Sequence, residues 1–111
     1  MSNYTPDNWV VLKIDLEEQE TPLYKILAGW SGGYLSGDTW RMSSGITRVE
    51  EDDHAFYFYG SSGSVYECNK SGYGLRMNDA HIWEKIRQHR DGVELMDENT
   101  DWKMLDFQVE V

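Results

Sequence analysis

Between Trp30 and Gly74 the chain alternates aromatic runs with glycine and serine clusters, and that alternation commits the segment to short strands joined by tight turns. The clusters are Trp30-Ser31-Gly32-Gly33-Tyr34, Ser43-Ser44-Gly45, Gly60-Ser61-Ser62-Gly63-Ser64 and Ser71-Gly72-Tyr73-Gly74. Glycine supplies backbone conformations closed to other residues, serine bonds nearby backbone, and aromatic side chains favour the pleated surface between them. The same turns present free N–H and hydroxyl groups, so they suit a ligand site as well as a strand connection.

The flanking segments extend this pattern. Trp9 to Leu16 alternates, with Val10, Leu12, Ile14 and Leu16 on one face of a half-buried strand. A charged turn over residues 17–22 leads to a second strand, Leu23 to Gly29, placed to pair with the first as a hairpin. Thr39 to Met42, Ile46 to Glu50, Ala55 to Tyr59, Ser64 to Cys68 and Val93 to Met96 read as further short strands. A helix is expected over Asp79 to His89, with Asn78 as its cap, Arg87 and His89 in the last turn, and Gly92 ending it. Its apolar stripe is Ile82, Trp83 and Ile86. Leu105, Phe107, Val109 and Val111 alternate with polar residues and predict a terminal edge strand. The expected fold is α+β: a mainly antiparallel, strongly twisted β-sheet of about six to eight short strands with one packed α-helix over about 79–89.

A chain of 111 residues is long enough for one domain, spanning 1–111, and too short for two ordinary ones. With 40% apolar and 14% aromatic residues it has the side chains to build a core, despite twenty acidic groups against ten basic ones. The formal charge of −10 repels phosphate backbones and anionic membrane surfaces, which argues against duplex nucleic acid and membranes as partners. It favours either simple solubility or a basic partner protein. A lone cysteine, Cys68, and an N-terminal segment without a basic start or apolar run lead to the expectation of a cytoplasmic protein.

Motifs for chemistry are scarce. His54, His81 and His89 share no ligand spacing with Cys68 or one another, and Glu50-Glu51-Asp52-Asp53-His54 lacks the pattern of a calcium loop, so no metal is expected. Gly60-Ser61-Ser62-Gly63-Ser64 does not have nucleophile-elbow spacing, and the glycines match neither a phosphate-binding loop nor a dinucleotide fingerprint. No catalytic residue and no cofactor are assigned, and the reading leans away from an enzyme.

A recognition surface remains. Trp30, Tyr34, Trp40 and Tyr73 can stack on a planar ring, and Arg41 and Arg76 can hold an anion. Asp38 lies among them, between Gly37 and Thr39, where an aspartate more commonly bonds its own turn. Arg41, flanked by Trp40 and Met42, must reach solvent or find a partner. These residues form the candidate site for a small anionic, nucleotide-like ligand. The competing reading makes the two tryptophans core and pairs Arg41 with one of the acids. A second function is an acidic inhibitor or adaptor that mimics nucleic acid and docks on a basic surface of another protein through Glu17, Glu18, Glu20 and Glu50 to Asp53. The terminal strand or an aromatic face also offers a route to a homodimer.

The segments Asn3-Tyr4-Thr5-Pro6-Asp7-Asn8-Trp9-Val10-Val11, Leu27-Ala28-Gly29-Trp30-Ser31-Gly32-Gly33-Tyr34 and Trp40-Arg41-Met42-Ser43-Ser44-Gly45-Ile46-Thr47 resemble small accessory proteins of tailed bacteriophages, including marine T4-like ones. The resemblance implies a role in an infected bacterium, where such proteins block host defence by capturing a nucleotide signal or covering a host protein. It assigns no role to any residue.

Overall fold

The computed structural model describes residues 3–17, 19–33 and 37–107, the backbone alone at 31–33, 37–38 and 77–78. The alternating segment at Trp9 becomes β2 (Asn8–Ile14), which pairs antiparallel with β3 (Leu23–Gly33) in a register running from Asn8 opposite Gly29 to Ile14 opposite Leu23. The predicted hairpin is therefore present. β4 (Gly37–Met42) continues outward from β3, and β8 (Val93–Leu95) flanks β2 on the other side, giving the order β4-β3-β2-β8.

The Ser43–Gly45 turn then carries the chain into a second sheet. Here β5 (Ile46–Glu51), β6 (Ala55–Gly60) and β7 (Val65–Asn69) form the expected aromatic meander. Two residues that sequence periodicity could not register, Asn3–Tyr4, add β1 parallel to β7, for the order β1-β7-β6-β5. The fold is α+β and mostly antiparallel, but its strands divide between two facing sheets instead of sharing one.

β2 is buried on both faces, not one. Trp9 and Val11 point between the sheets, where they join Ile26, Ala28, Ile46, Phe58, Tyr66 and Cys68. Val10 and Leu12 point the opposite way, with Leu27, toward helix α1 (Met77–His89) and its stripe of Ile82, Trp83 and Ile86. The result is three layers: helix, sheet, sheet. A central strand covered on both sides loses the apolar–polar alternation that a half-buried strand displays.

α1 starts two residues before the expected position, and Arg76 rather than Asn78 is its N-cap. Asp79 is the reason: its Oδ1 accepts from the Arg76 backbone N–H at 2.9 Å, satisfying a donor that the helix itself leaves open. Beyond the C-terminal Arg90 cap, Gly92 at φ +78° turns the chain so that its carbonyl accepts from Asp15 N–H at 2.8 Å.

The expected terminal strand is not formed over Leu105 to Phe107, and residues 108–111 lie outside the described part. Instead Trp102–Met104 makes a short 3₁₀ turn whose Asp101 carboxylate accepts from Lys103 N–H at 3.2 Å. Trp102 is fully buried, and Leu105 and Phe107 pack against the inter-sheet core, Phe107 edge-on to Tyr24 at 5.6 Å. The alternation at 105 and 107 is real, but it reflects an extended plug in the core, not a ladder.

Trp9 is the centre of that core. Its ring lies 5.4 Å from Phe58, 4.7 Å from Tyr73 and 6.0 Å from Trp102, and its indole N–H donates to Asn69 O at 2.8 Å. A buried indole needs such an acceptor, because an unmet N–H in an apolar interior is costly.

Candidate functional site

The described residues among those assigned to an anion pocket do not converge. In β4, Arg41 is opposite Ala28 and Trp40 is opposite Gly29, so consecutive side chains leave the sheet on opposite faces. Arg41 points toward the second sheet, where its guanidinium sits 4.5 Å over the ring of Tyr4. Tyr4 in turn stacks on Tyr66 at 4.9 Å and meets Trp30 edge-on at 6.2 Å. Trp30 is half-buried, with its indole N–H donating to Thr5 O at 3.0 Å.

Trp40 leaves on the helix side and is 45% exposed, so it belongs neither to the core nor to the face of Trp30 and Arg41. Tyr73 is a core ring: its hydroxyl donates to Met96 O and accepts from Val11 N–H, and burial pushes its pKa up to about 12. Arg76 caps α1 and is exposed. The side chains of Tyr34 and Asp38 lie outside the described residues. Among the described residues of the seven, the structure joins Trp30 and Arg41, through Tyr4, whose ring is the partner found for Arg41.

A different surface is assembled on the outer face of the β1-β7-β6-β5 sheet. In β6, Phe56 and Phe58 pack inward while Tyr57 and Tyr59 point out. The register places Glu50 and Glu67 on either side of Tyr57, and Arg48 and Val65 on either side of Tyr59. Asn3, Thr5, Tyr57, Tyr59, Val65 and Glu67 line a shallow depression of about 270 Å³, with Arg48 and Glu50 on the neighbouring strand beside it.

The polar groups on this face are held in place. Tyr57 OH donates to Asp52 Oδ2 at 2.6 Å, and Tyr59 OH donates to Glu50 Oε2 at 2.9 Å. Asp52 also accepts from the N–H groups of His54 and Ala55, each at 2.8 Å. The Tyr57 hydroxyl first, then those two N–H groups, draw the Asp52 pKa down to about 2, and the same bond raises Tyr57 to about 12. The Arg48 guanidinium lies 4.0 Å over the Tyr59 ring and 3.4 Å from Glu50 Oε1. Glu51, just beyond, is occupied by Lys70 at 2.6 Å and Lys103 at 2.9 Å, which hold its pKa down.

α1 covers the outer side of the other sheet, and among the described residues nothing covers this one. The chemistry of such a face suits positive charge: ring faces attract a guanidinium or ammonium, and carboxylates accept from its N–H groups. The signal for it in the sequence is Phe56-Tyr57-Phe58-Tyr59, where the hydroxyl alone distinguishes the wet rings from the dry ones.

Among the described residues no three histidine, cysteine or acidic side chains are grouped to hold a metal ion. No described helix is long and apolar enough to cross a membrane. Comparison with protein-family models, curated proteins and solved structures gives no match.

Proposed function

We propose that the protein is a non-enzymatic binding module that docks on a basic surface of another protein through the tyrosine–carboxylate face of the β1-β7-β6-β5 sheet. The observation that carries this reading is the seating of Arg48, stacked on Tyr59 and bonded to Glu50: the face already accommodates one guanidinium from its own chain. A partner arginine or lysine has the equivalent position at Tyr57, between Glu50 and Glu67. The charge of −10 supplies long-range attraction to such a partner. In the setting implied by the resemblance to phage accessory proteins, the partner is a host protein whose basic surface this one covers.

The test is titration of arginine-rich and lysine-rich peptides, followed by amide shifts and calorimetry at several salt concentrations. Binding is expected at low salt, perturbing residues around Tyr57 and Tyr59 and falling steeply as salt screens the charges. Glu50→Lys with Glu67→Lys is expected to weaken it at least about tenfold. No binding at low salt, or binding indifferent to the charge reversal, overturns the reading.

A further inference from the structure

At another place in the molecule the two serine–glycine turns come together. Ser61 N–H donates to Gly45 O at 2.8 Å, and Ser62 N–H donates to Ser44 Oγ at 3.2 Å, tying the β4–β5 turn to the β6–β7 turn. Ser43 anchors the first turn to β3: its N–H donates to Ile26 O at 2.9 Å, and its Oγ accepts from Ile26 N–H at 2.8 Å. Between these fixed turns and the start of β3 is a groove of about 330 Å³. Leu23 and Ile46 give it apolar surface, and Lys25, Ser44, Thr47 and Ser61 give it polar groups.

The groove is an exception in so acidic a chain, because its lining holds an ammonium and no carboxylate. Lys25 is half-buried and enters no ion pair among the described residues, so its ammonium is not neutralised by a carboxylate of its own chain there. The Ser61 hydroxyl likewise has no hydrogen-bond partner among the described residues. Thr47 Oγ1 donates to Tyr59 O at 3.2 Å, which leaves the donor role to Lys25 and Ser61, together with whichever of the Ser44 and Ser62 hydroxyls accepts in the 3.0 Å bond between them.

We infer that this groove is a binding site for a small oxyanion-bearing metabolite, its phosphate or carboxylate held by Lys25 and Ser61 and its carbon skeleton lying on Leu23 and Ile46. Converging ammonium and hydroxyl donors stabilise an oxyanion, and a volume near the lower end of ligand pockets suits a molecule of metabolite size. The lining contains no aromatic ring, so the site favours a sugar or short acid skeleton over a nucleobase that needs stacking. It shares no lining residue with the tyrosine–carboxylate face and stands independently of the docking reading.

The experiment titrates inorganic phosphate, ribose 5-phosphate and citrate into the full chain at matched ionic strength, reading amide shifts and Tm. Saturable shifts at Lys25, Gly45, Ser61 and Ser62 are expected, with a Tm that rises as the logarithm of ligand concentration. The stronger of the ribose 5-phosphate and citrate responses identifies the anion as phosphate or carboxylate. Lys25→Gln is expected to weaken binding about tenfold and Lys25→Arg to retain it. Ser61→Ala, on an exposed turn, supplies the same comparison should Lys25→Gln fail to fold. Absence of saturable shifts at millimolar ligand, or an unchanged response in both Lys25→Gln and Ser61→Ala, overturns the assignment.

Discussion

Asn8 and Asp79 are both fully buried and joined by a 2.9 Å hydrogen bond from Asn8 Nδ2 to Asp79 Oδ2, which fastens central strand β2 to the first turn of α1. Asn8 Nδ2 also reaches Gly74 O at 3.0 Å, and Asp79 Oδ1 holds the N-cap N–H, so one polar knot sets where the helix begins. Asp79→Ala leaves buried donors unmet and is expected to cost about 2–4 kcal/mol in urea unfolding. In a cycle with Asn8→Ala the two losses should be non-additive by about 1 kcal/mol or more. Additive losses would show that the bond contributes nothing of its own.

The same carboxyl gives a pH signature. Burial raises the Asp79 pKa above 3.8, outweighing the Arg76 N–H and Asn8 bonds that lower it. A raised folded value means that this contribution is present below pH 3.8 and lost as pH rises through the folded pKa. Stability measured across that interval should lose this component in Asp79→Asn.

Tyr57 and Asp52 behave in the opposite sense. The Asp52 contribution is present above pH 3.8 and lost as pH falls through about 2, while that of Tyr57 is present below pH 10 and lost as pH rises through about 12. Tyr57→Phe should bring the Asp52 carboxyl back toward its ordinary value, read by carboxyl-carbon NMR titration. An unmoved Asp52 would mean that its backbone N–H partners account for the whole shift.

Trp102 is buried in the core between the sheets, with Trp9, Phe58 and Tyr73 at 6.0, 6.1 and 5.7 Å. Trp102→Ala is expected to cost about 3–5 kcal/mol, a large part of the stability of a domain this size, and Trp102→Phe distinctly less. Urea midpoints for the two variants check the order.

Arg41 and Trp40 separate in the other direction. Losing the exposed stack on Tyr4 should make Arg41→Ala cost about 1 kcal/mol or less, and Trp40→Ser should lie within about 0.5 kcal/mol of wild type. A large loss from Trp40→Ser would show that its ring is packed.

The strands and the helix were legible because their signals are local. Glycine and serine between Trp40 and Ile46 mark a turn whatever the turn packs on, and Ile82, Trp83 and Ile86 form a stripe in any helix. Less legible were β1, only two residues long, and the tail at Leu105 and Phe107, where alternation served burial without pairing. The candidate site was the least legible. Trp40 and Arg41 are neighbours in sequence, yet the pleat of β4 sends them to opposite sides of a sheet.

The amino-acid sequence by itself determined an acidic α+β domain of short aromatic strands with one packed helix, since composition, periodicity and turn chemistry act over a few residues. Only the tertiary structure decided that the strands form two sheets, that α1 covers one of them and leaves Tyr57 and Tyr59 open on the other, and that Lys25 meets the two serine turns. The reason is register: which side chains share a face depends on strand pairing between segments distant along the chain, and a shift of one residue would exchange every inward group for an outward one.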